Sequence, residues 1–375
     1  ALYVSAENAM FNNVFGGAQI IEVVVINGQD ETDEEQGEPV VKVDENQLRM
    51  AQGVDGNWYG YFGDKTQVPL ADESSYLNFG TDSDPTIYKG DWAEASNVYK
   101  NEAGSPQNVA TNYPTLSAWN NTGTAEGVAN ASVGQIGIAQ ADWPVIQLYD
   151  FTIGMFDVVL EQAGADEVVT LDFNSADLDD YASLTLDRSS ASQESEIHLV
   201  ITDNQLNIDP TAEDIVSFWV GGSSLTNGVS WMNRTTTWGD TDYIAYSNAF
   251  DDNGKLIINN ATNGGASILA NDATLDDATA DNYMIFYEGG ENSGIFYNTD
   301  DNDDASIVVA DAAKRGFTAT FDYNDSAQSF VVANDFGTID MEEASVGDEW
   351  NSGEALTVTL IDQDLNKNSA SDEDL

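Results

Sequence analysis

Apolar residues along this chain fall in short alternating runs. Gln19–Ile26 (QIIEVVVI), Val168–Phe173, Leu184–Leu186, Ile197–Ile201 (IHLVI), Phe317–Phe321 (FTATF) and Leu356–Leu360 (LTVTL) are the clearest. Alternation of this kind puts the apolar residues of an extended strand on one face. Asp, Asn, Gly or Ser bounds each run and supplies the turns. Helical periodicity is scarce, and only Ile307–Arg315 has the spacing of a short helix, with its basic pair in the last turn. Many short strands with frequent turns predict an all-β chain, built as tandem immunoglobulin-like β-sandwich domains with long loop insertions.

An internal repeat organises the chain. Glu196–Asp214 (EIHLVITDNQLNIDPTAED) aligns without gaps on Ala355–Glu373 (ALTVTLIDQDLNKNSASDE) at an offset of 159 residues. Each copy is a strand followed by an acidic loop with a D-x-x-L-N core. Three units are therefore expected. Residues 1–180 form an N-terminal β-rich domain with a long polar insertion at about 71–132. Residues 181–346 form a sandwich with an insertion at about 221–304, rich in Gly, Asn and Asp. Residues 347–375 begin a further such domain that two strands cannot close, which points to a longer multidomain protein.

Charge changes the picture most. The chain carries 66 Asp and Glu against 11 Lys and Arg, a net charge of -55 on 375 residues. Eight Trp, 15 Tyr and 15 Phe supply real cores, so the acidity does not signify disorder. Such a body repels itself and excludes nucleic acid and anionic lipid as partners. High salt relieves part of this repulsion, since the Debye length at marine salt is about 4 Å. Carboxylates crowded into one loop still call for a cation between them. No apolar run approaches the ~20 residues of a membrane span. Cysteine is absent, which removes disulfides, thiolate metal sites and cysteine nucleophiles. Sequons at Asn120, Asn130, Asn233, Asn260 and Asn324 fit a secreted chain, although an Asn- and Thr-rich sequence also makes them by chance.

The repeated loop has the spacing of metal ligands. Asp362, Asp364, Asn366 and Asn368 fall at every other residue, followed by Glu373; the matching positions are Asp203, Gln205, Asn207, Asp209 and Asp214. Oxygens at this spacing resemble a calcium-binding EF loop, but the Gly such a loop needs is Ile208 or Lys367, and no helices flank it. Two readings remain open: a different oxygen-rich cradle, or a hydrated turn held by Asx hydrogen bonds. Further candidates are Asp30 and Asp33 in DETDEE, Asp179 and Asp180 in DLDD, and Asp301 and Asp303 in DDNDD. Hard oxygen ligands without Cys and with a single His favour Ca2+ at several sites.

Catalytic chemistry finds no constellation. The single His, His198, lies on an alternating strand opposite in facing to Ile197, Leu199 and Ile201, so no enzyme is expected. A glycosidase-like carboxylate pair has no residues to single it out. Trp58 with Tyr59, or Trp231 with Trp238, could stack on sugars, which keeps a secreted adhesin or carbohydrate-binding sandwich as the alternative.

Leu48–Asp64 (LRMAQGVDGNWYGYFGD), Gly134–Phe151 (GQIGIAQADWPVIQLYDF), Leu184 through Ile215, and Val346–Leu375 together resemble the N-terminal part of surface-layer proteins of marine ammonia-oxidising archaea, the Nitrosopumilus type. The resemblance implies immunoglobulin-like domains that self-assemble into a hexagonal lattice around the cell. It also implies bound calcium and other cations, and a negatively charged sieve that enriches ammonium. Asp203, Asn207, Asp209, Asp362, Asp364 and Asn366 stand where such domains place cation-binding loops. The expected function is thus a structural, extracellular cell-surface lattice protein.

Overall fold

A computed structural model describes residues 1–26, 38–44, 46–64, 67–68, 146–149, 151, 154–219, 256–260, 268–271, 283–299, 303–342, 344, 347 and 349–373. These residues are mostly β-sheet and form no barrel. The expected insertion at 71–132 lies outside them, as does the greater part of 221–304; the described residues of the latter include strands of the sandwich sheets, at 256–260, 283–288 and 295–297, and are not an insertion.

The first sandwich comprises β1 (Leu2–Val4), β2 (Val14–Phe15), β3 (Ile21–Val25), β4 (Val41–Val43), β5 (Asn46–Leu48), β6 (Ala51–Gln52), β7 (Trp58–Asp64), β8 (Ile146–Tyr149), β9 (Gly154–Leu160) and β10 (Glu167–Phe173). One sheet runs β1-β3-β7-β6, with β8 parallel to β7; the other runs β2-β10-β9-β4-β5. The space between them is filled by rings. Phe15 lies within 6.3 Å, centroid to centroid, of Phe62, Phe151, Phe156 and Phe173. Arg49 is fully buried and held bidentate by Glu38 at 2.8 and 2.9 Å, as a desolvated guanidinium requires.

The short helix α1 (Ser175–Asp179), capped by Asn174, leads into the second sandwich. Its strands are β11 (Ser183–Leu186), β12 (Ser190–Ala191), β13 (Leu199–Thr202), β14 (Ile215–Trp219), β15 (Leu256–Asn260), β16 (Leu269–Asn271), β17 (Tyr283–Glu288), β18 (Ile295–Tyr297), β19 (Ile307–Val309), β20 (Thr318–Tyr323) and β21 (Ser326–Val332). Sheet order is β11-β13-β18-β17-β14 against β12-β21-β20-β15, with β16-β19 as a separate pair. The two sandwiches share a plan. β1, β3 and β7 correspond to β11, β13 and β18, and the short β2 lies parallel to β10 just as β12 lies parallel to β21.

A third unit starts the same way. β22 (Thr338–Met341) pairs antiparallel with β23 (Val358–Ile361), as β1 pairs with β3 and β11 with β13. β22 lies before residue 346, the division expected from the sequence, and pairs with a strand that lies after it.

Two sequence expectations change. Ile307–Arg315 is not a helix: Ile307–Val309 is β19, with Ile307 and Val309 fully buried and Val308 between them only partly so. Period-two burial outweighs the helix-forming Ala and Lys that follow. Asn324 and Asp325, at φ 46° and 62°, make the two-residue turn between β20 and β21. The Asn324 side-chain nitrogen is buried there, so this sequon is closed to a glycan in the folded chain.

Phe15→Ala should destabilise the first sandwich by about 3–5 kcal/mol. Denaturant unfolding followed by the emission of buried Trp58 checks this; a loss under about 1 kcal/mol would contradict the ring-packed core.

Candidate functional site

The two acidic loops are copies in structure as well as in sequence. Asp203 directly follows β13 and Asp362 directly follows β23, and each caps a single 3-10 turn. Asp203 accepts from the Gln205 N–H at 2.9 Å, and Asp362 from the Asp364 N–H at 3.0 Å. Backbone angles repeat: φ/ψ is -159/112° at Asp203 and -149/112° at Asp362, then -81/89° at Asn207 and -78/93° at Asn366. A closing carboxylate ends each loop. Asp214 Oδ2 accepts from the N–H groups of Ile208 (2.7 Å) and Asp209 (3.0 Å). Glu373 Oε1 accepts from Lys367 N and, at 2.6 Å, from Asn368 N. Asp209 and Asn368 in turn accept from the N–H groups of Thr211 (2.9 Å) and Ala370 (2.8 Å). The alternate-residue spacing therefore serves main-chain N–H groups that leave the sheet without a partner.

The copies differ in burial. Asp203, Gln205, Asn207, Asp209 and Asp214 are at most 2 % exposed, whereas Asn368 alone of the second loop is buried. The first loop sits between the sandwiches: Asn204 Nδ2 donates to Val14 O, Gln205 Nε2 to Ser175 O, and Asn207 Nδ2 to Asn292, which donates to Ser5 O. Gly294, at φ 65°, is required there. A Cβ on it would stand 2.9 Å from the Phe11 ring, and the left-handed backbone already disfavours a side chain.

Burial raises the acids. Desolvation pushes Asp203 up to about 6, against hydrogen bonds from Tyr323 and the Gln205 N–H that favour its anion. Glu288 is pushed up to about 7 by burial, opposed by the N–H groups of Asp214, Gly294 and Ser293. Asp214 rises through burial and the nearby charges of Glu288 and Asp209. Asp214 and Glu288 lie 74 residues apart and meet because β14 pairs with β17. Three buried oxygens here, Gln205 Oε1, Asn207 Oδ1 and Asp214 Oδ1, receive no hydrogen bond.

Of the other candidates, Asp179 lies close enough to Asp203 to raise its pKa, and is itself raised by partial burial, Asp325 and Asp180. Asp303 meets the second loop through its carbonyl, which accepts from Asn368 Nδ2 at 2.7 Å. The Asp364 carboxylate is engaged by Asn334 Nδ2 at 2.8 Å and the Asp335 N–H at 3.1 Å. Asp30, Asp33 and Asp301 lie outside the described residues. Among the described residues, no three His, Cys, Asp or Glu side chains converge as a metal centre.

No protein-family model matches this chain, and no curated protein matches its sequence. His198 faces away from buried Ile197, Leu199 and Ile201, as its alternation requires. It bridges Glu196 Oε2 and Ser369 Oγ, each at 3.3 Å. Ser369 donates its proton to Asp187 at 2.7 Å, so His198 is not placed to take it and the group works as a bridge between units. Trp58 is 4 % exposed and offers no face to a sugar; Trp231 and Trp238 lie outside the described residues. Sequence reasoning missed Gln19, Arg188 and Glu288, which meet the loops only through tertiary structure. The place of QIIEVVVI ahead of a strand, like EIHLVI, was the one available signal.

Because Asp203 and Glu288 are raised on folding, their contribution is fully present below the ordinary carboxylate range and is lost as pH rises through about 6 and 7. Without divalent cations, stability should fall from about pH 4 to about pH 7. Asp203→Asn should remove about 2–3 kcal/mol of that fall, between about pH 4 and pH 6, since the Tyr323 hydroxyl can turn to accept. Thermal unfolding across this range checks it; an unchanged slope in the variant would contradict the assignment.

Proposed function

We propose that this chain is part of an extracellular structural protein, an acidic surface-layer component built from tandem immunoglobulin-like sandwiches. The observation that carries the reading is the recurrence of one docked strand-and-loop unit at two successive joints. Repetition of a module and its joint is the architecture of an extended structural array. Strand order supports the immunoglobulin-like assignment. β1-β3-β7-β6 and β11-β13-β18-β17 follow the A-B-E-D order, and β10-β9-β4 and β21-β20-β15 follow G-F-C.

The charge supports the cell-surface role. A net charge of -55 makes any narrow opening between copies a cation-selective passage, in which ammonium and metal ions concentrate beside carboxylates. Partners on this reading are further copies of the chain and small cations. No helix among the described residues is long and apolar enough to cross a membrane. Calcium fits the donor chemistry of the first loop. Gln205 Oε1, Asn207 Oδ1 and Asp214 Oδ1 are buried hard oxygens with no hydrogen-bond donor, the kind of ligand a hard cation takes. Asp203 and Asp209 would hold such an ion through charge, and loading would favour the ionised form of the raised acids.

Electron microscopy of the purified protein in millimolar calcium tests the proposal. Regular two-dimensional sheets that dissolve in chelator are expected. Absence of ordered assembly at every calcium concentration would contradict the lattice role, and sheets indifferent to chelator would contradict the cation role.

A further inference from the structure

We propose that the strand-and-acidic-loop unit is a docking plug that fixes each sandwich in one orientation on the sandwich before it. Its partner is the main-chain N–H ahead of the second long strand of that preceding sandwich, with a side-chain donor beside it that comes from the same segment at the first joint (Gln19) and from the β11–β12 connection at the second (Arg188). The inference rests on contacts within the chain and goes beyond the lattice reading, which can fail without it.

The same two carbonyls make both docks. At the first joint, Ile208 O accepts from the Ile20 N–H at 3.0 Å and Asn207 O from Gln19 Nε2 at 3.2 Å. At the second, Lys367 O accepts from the Glu196 N–H at 2.7 Å and Asn366 O from Arg188 Nη1 at 3.1 Å. Ile208 and Asn207 occupy the loop positions of Lys367 and Asn366. Ile20 leads into β3 and Glu196 into β13, strands that hold the same place in their sheets. Plug and slot are therefore both repeated, and the second sandwich carries one of each.

The closing carboxylates act through the plug. Asp214 draws in the N–H of Ile208, and Glu373 that of Lys367, while the carbonyls of those residues point to the slot. They are positioning residues. What fills the slot differs. Ile208 is buried in one apolar cluster with Ile20, Ala18 and Leu148, whereas Lys367 Nζ donates to Ser192 Oγ at 2.6 Å and Gln193 O at 2.8 Å. A polar cavity of about 270 Å³ adjoins the second joint. The first joint is thus packed with apolar side chains and the second with polar ones, with one bonding scheme.

Amide exchange on the whole chain at marine salt tests this. Glu373→Ala should speed exchange at the Glu196 N–H about tenfold, the worth of one lost hydrogen bond, and leave Ile20 unchanged. Glu373→Gln, whose amide oxygen can still accept, should restore most of the protection, and Arg188→Ala should act in the same direction as Glu373→Ala. Faster exchange at Lys367 with none at Glu196 would overturn the proposal, as would equal acceleration at Ile20 and Glu196.

Discussion

Everything distinctive in this chain depends on main-chain N–H groups finding acceptors where a strand leaves its sheet. At such points a fold ordinarily uses water or another strand. Here a carboxylate does the work: Asp203 and Asp362 cap the first turn, and Asp214 and Glu373 each gather two consecutive N–H groups. With those donors satisfied inside the loop, the carbonyls of Asn207, Ile208, Asn366 and Lys367 are left to face the neighbouring unit. Charge thereby becomes a means of joining domains.

The arrangement has a cost. Desolvation of Asp203, Asp214 and Glu288 raises their proton affinity, and few cations are present to offset it; Arg49 is committed to Glu38 in the first sandwich. The first joint tolerates this because apolar contacts continue across it, from Ala18 and Ile20 to Leu206 and Ile208. The second joint leaves most of its loop exposed and replaces the isoleucine with a lysine. Protons can relieve the buried acids, and that couples the first joint to the pH of the medium.

The strands and the repeat were legible in the sequence because they follow from period-two patterning and from a copied loop. The facing of His198 was legible for the same reason. The acidic spacing was visible too, but it suits a metal cradle and an Asx-turn network alike, and the N–H partners of Asp203, Asp209 and Asp214 appear only in the structure. The meeting of Asp214 with Glu288 was not legible, since it follows from the pairing of β14 with β17. The slots were hidden because half of each is a main-chain N–H, which no side-chain pattern marks. Ile307–Arg315 misled through Ala and Lys propensity, overruled by the pairing of β19 with β16.

The most direct measurement of the central claim is small-angle X-ray scattering of the whole chain at marine salt, compared with an Asp214→Ala, Glu373→Ala double variant. Carboxylate-closed joints predict that the native profile fits one fixed arrangement of units, and that the variant, with its sandwiches still folded by circular dichroism, gives a longer maximum dimension and a broader distribution. Superimposable profiles for the two proteins would contradict the claim.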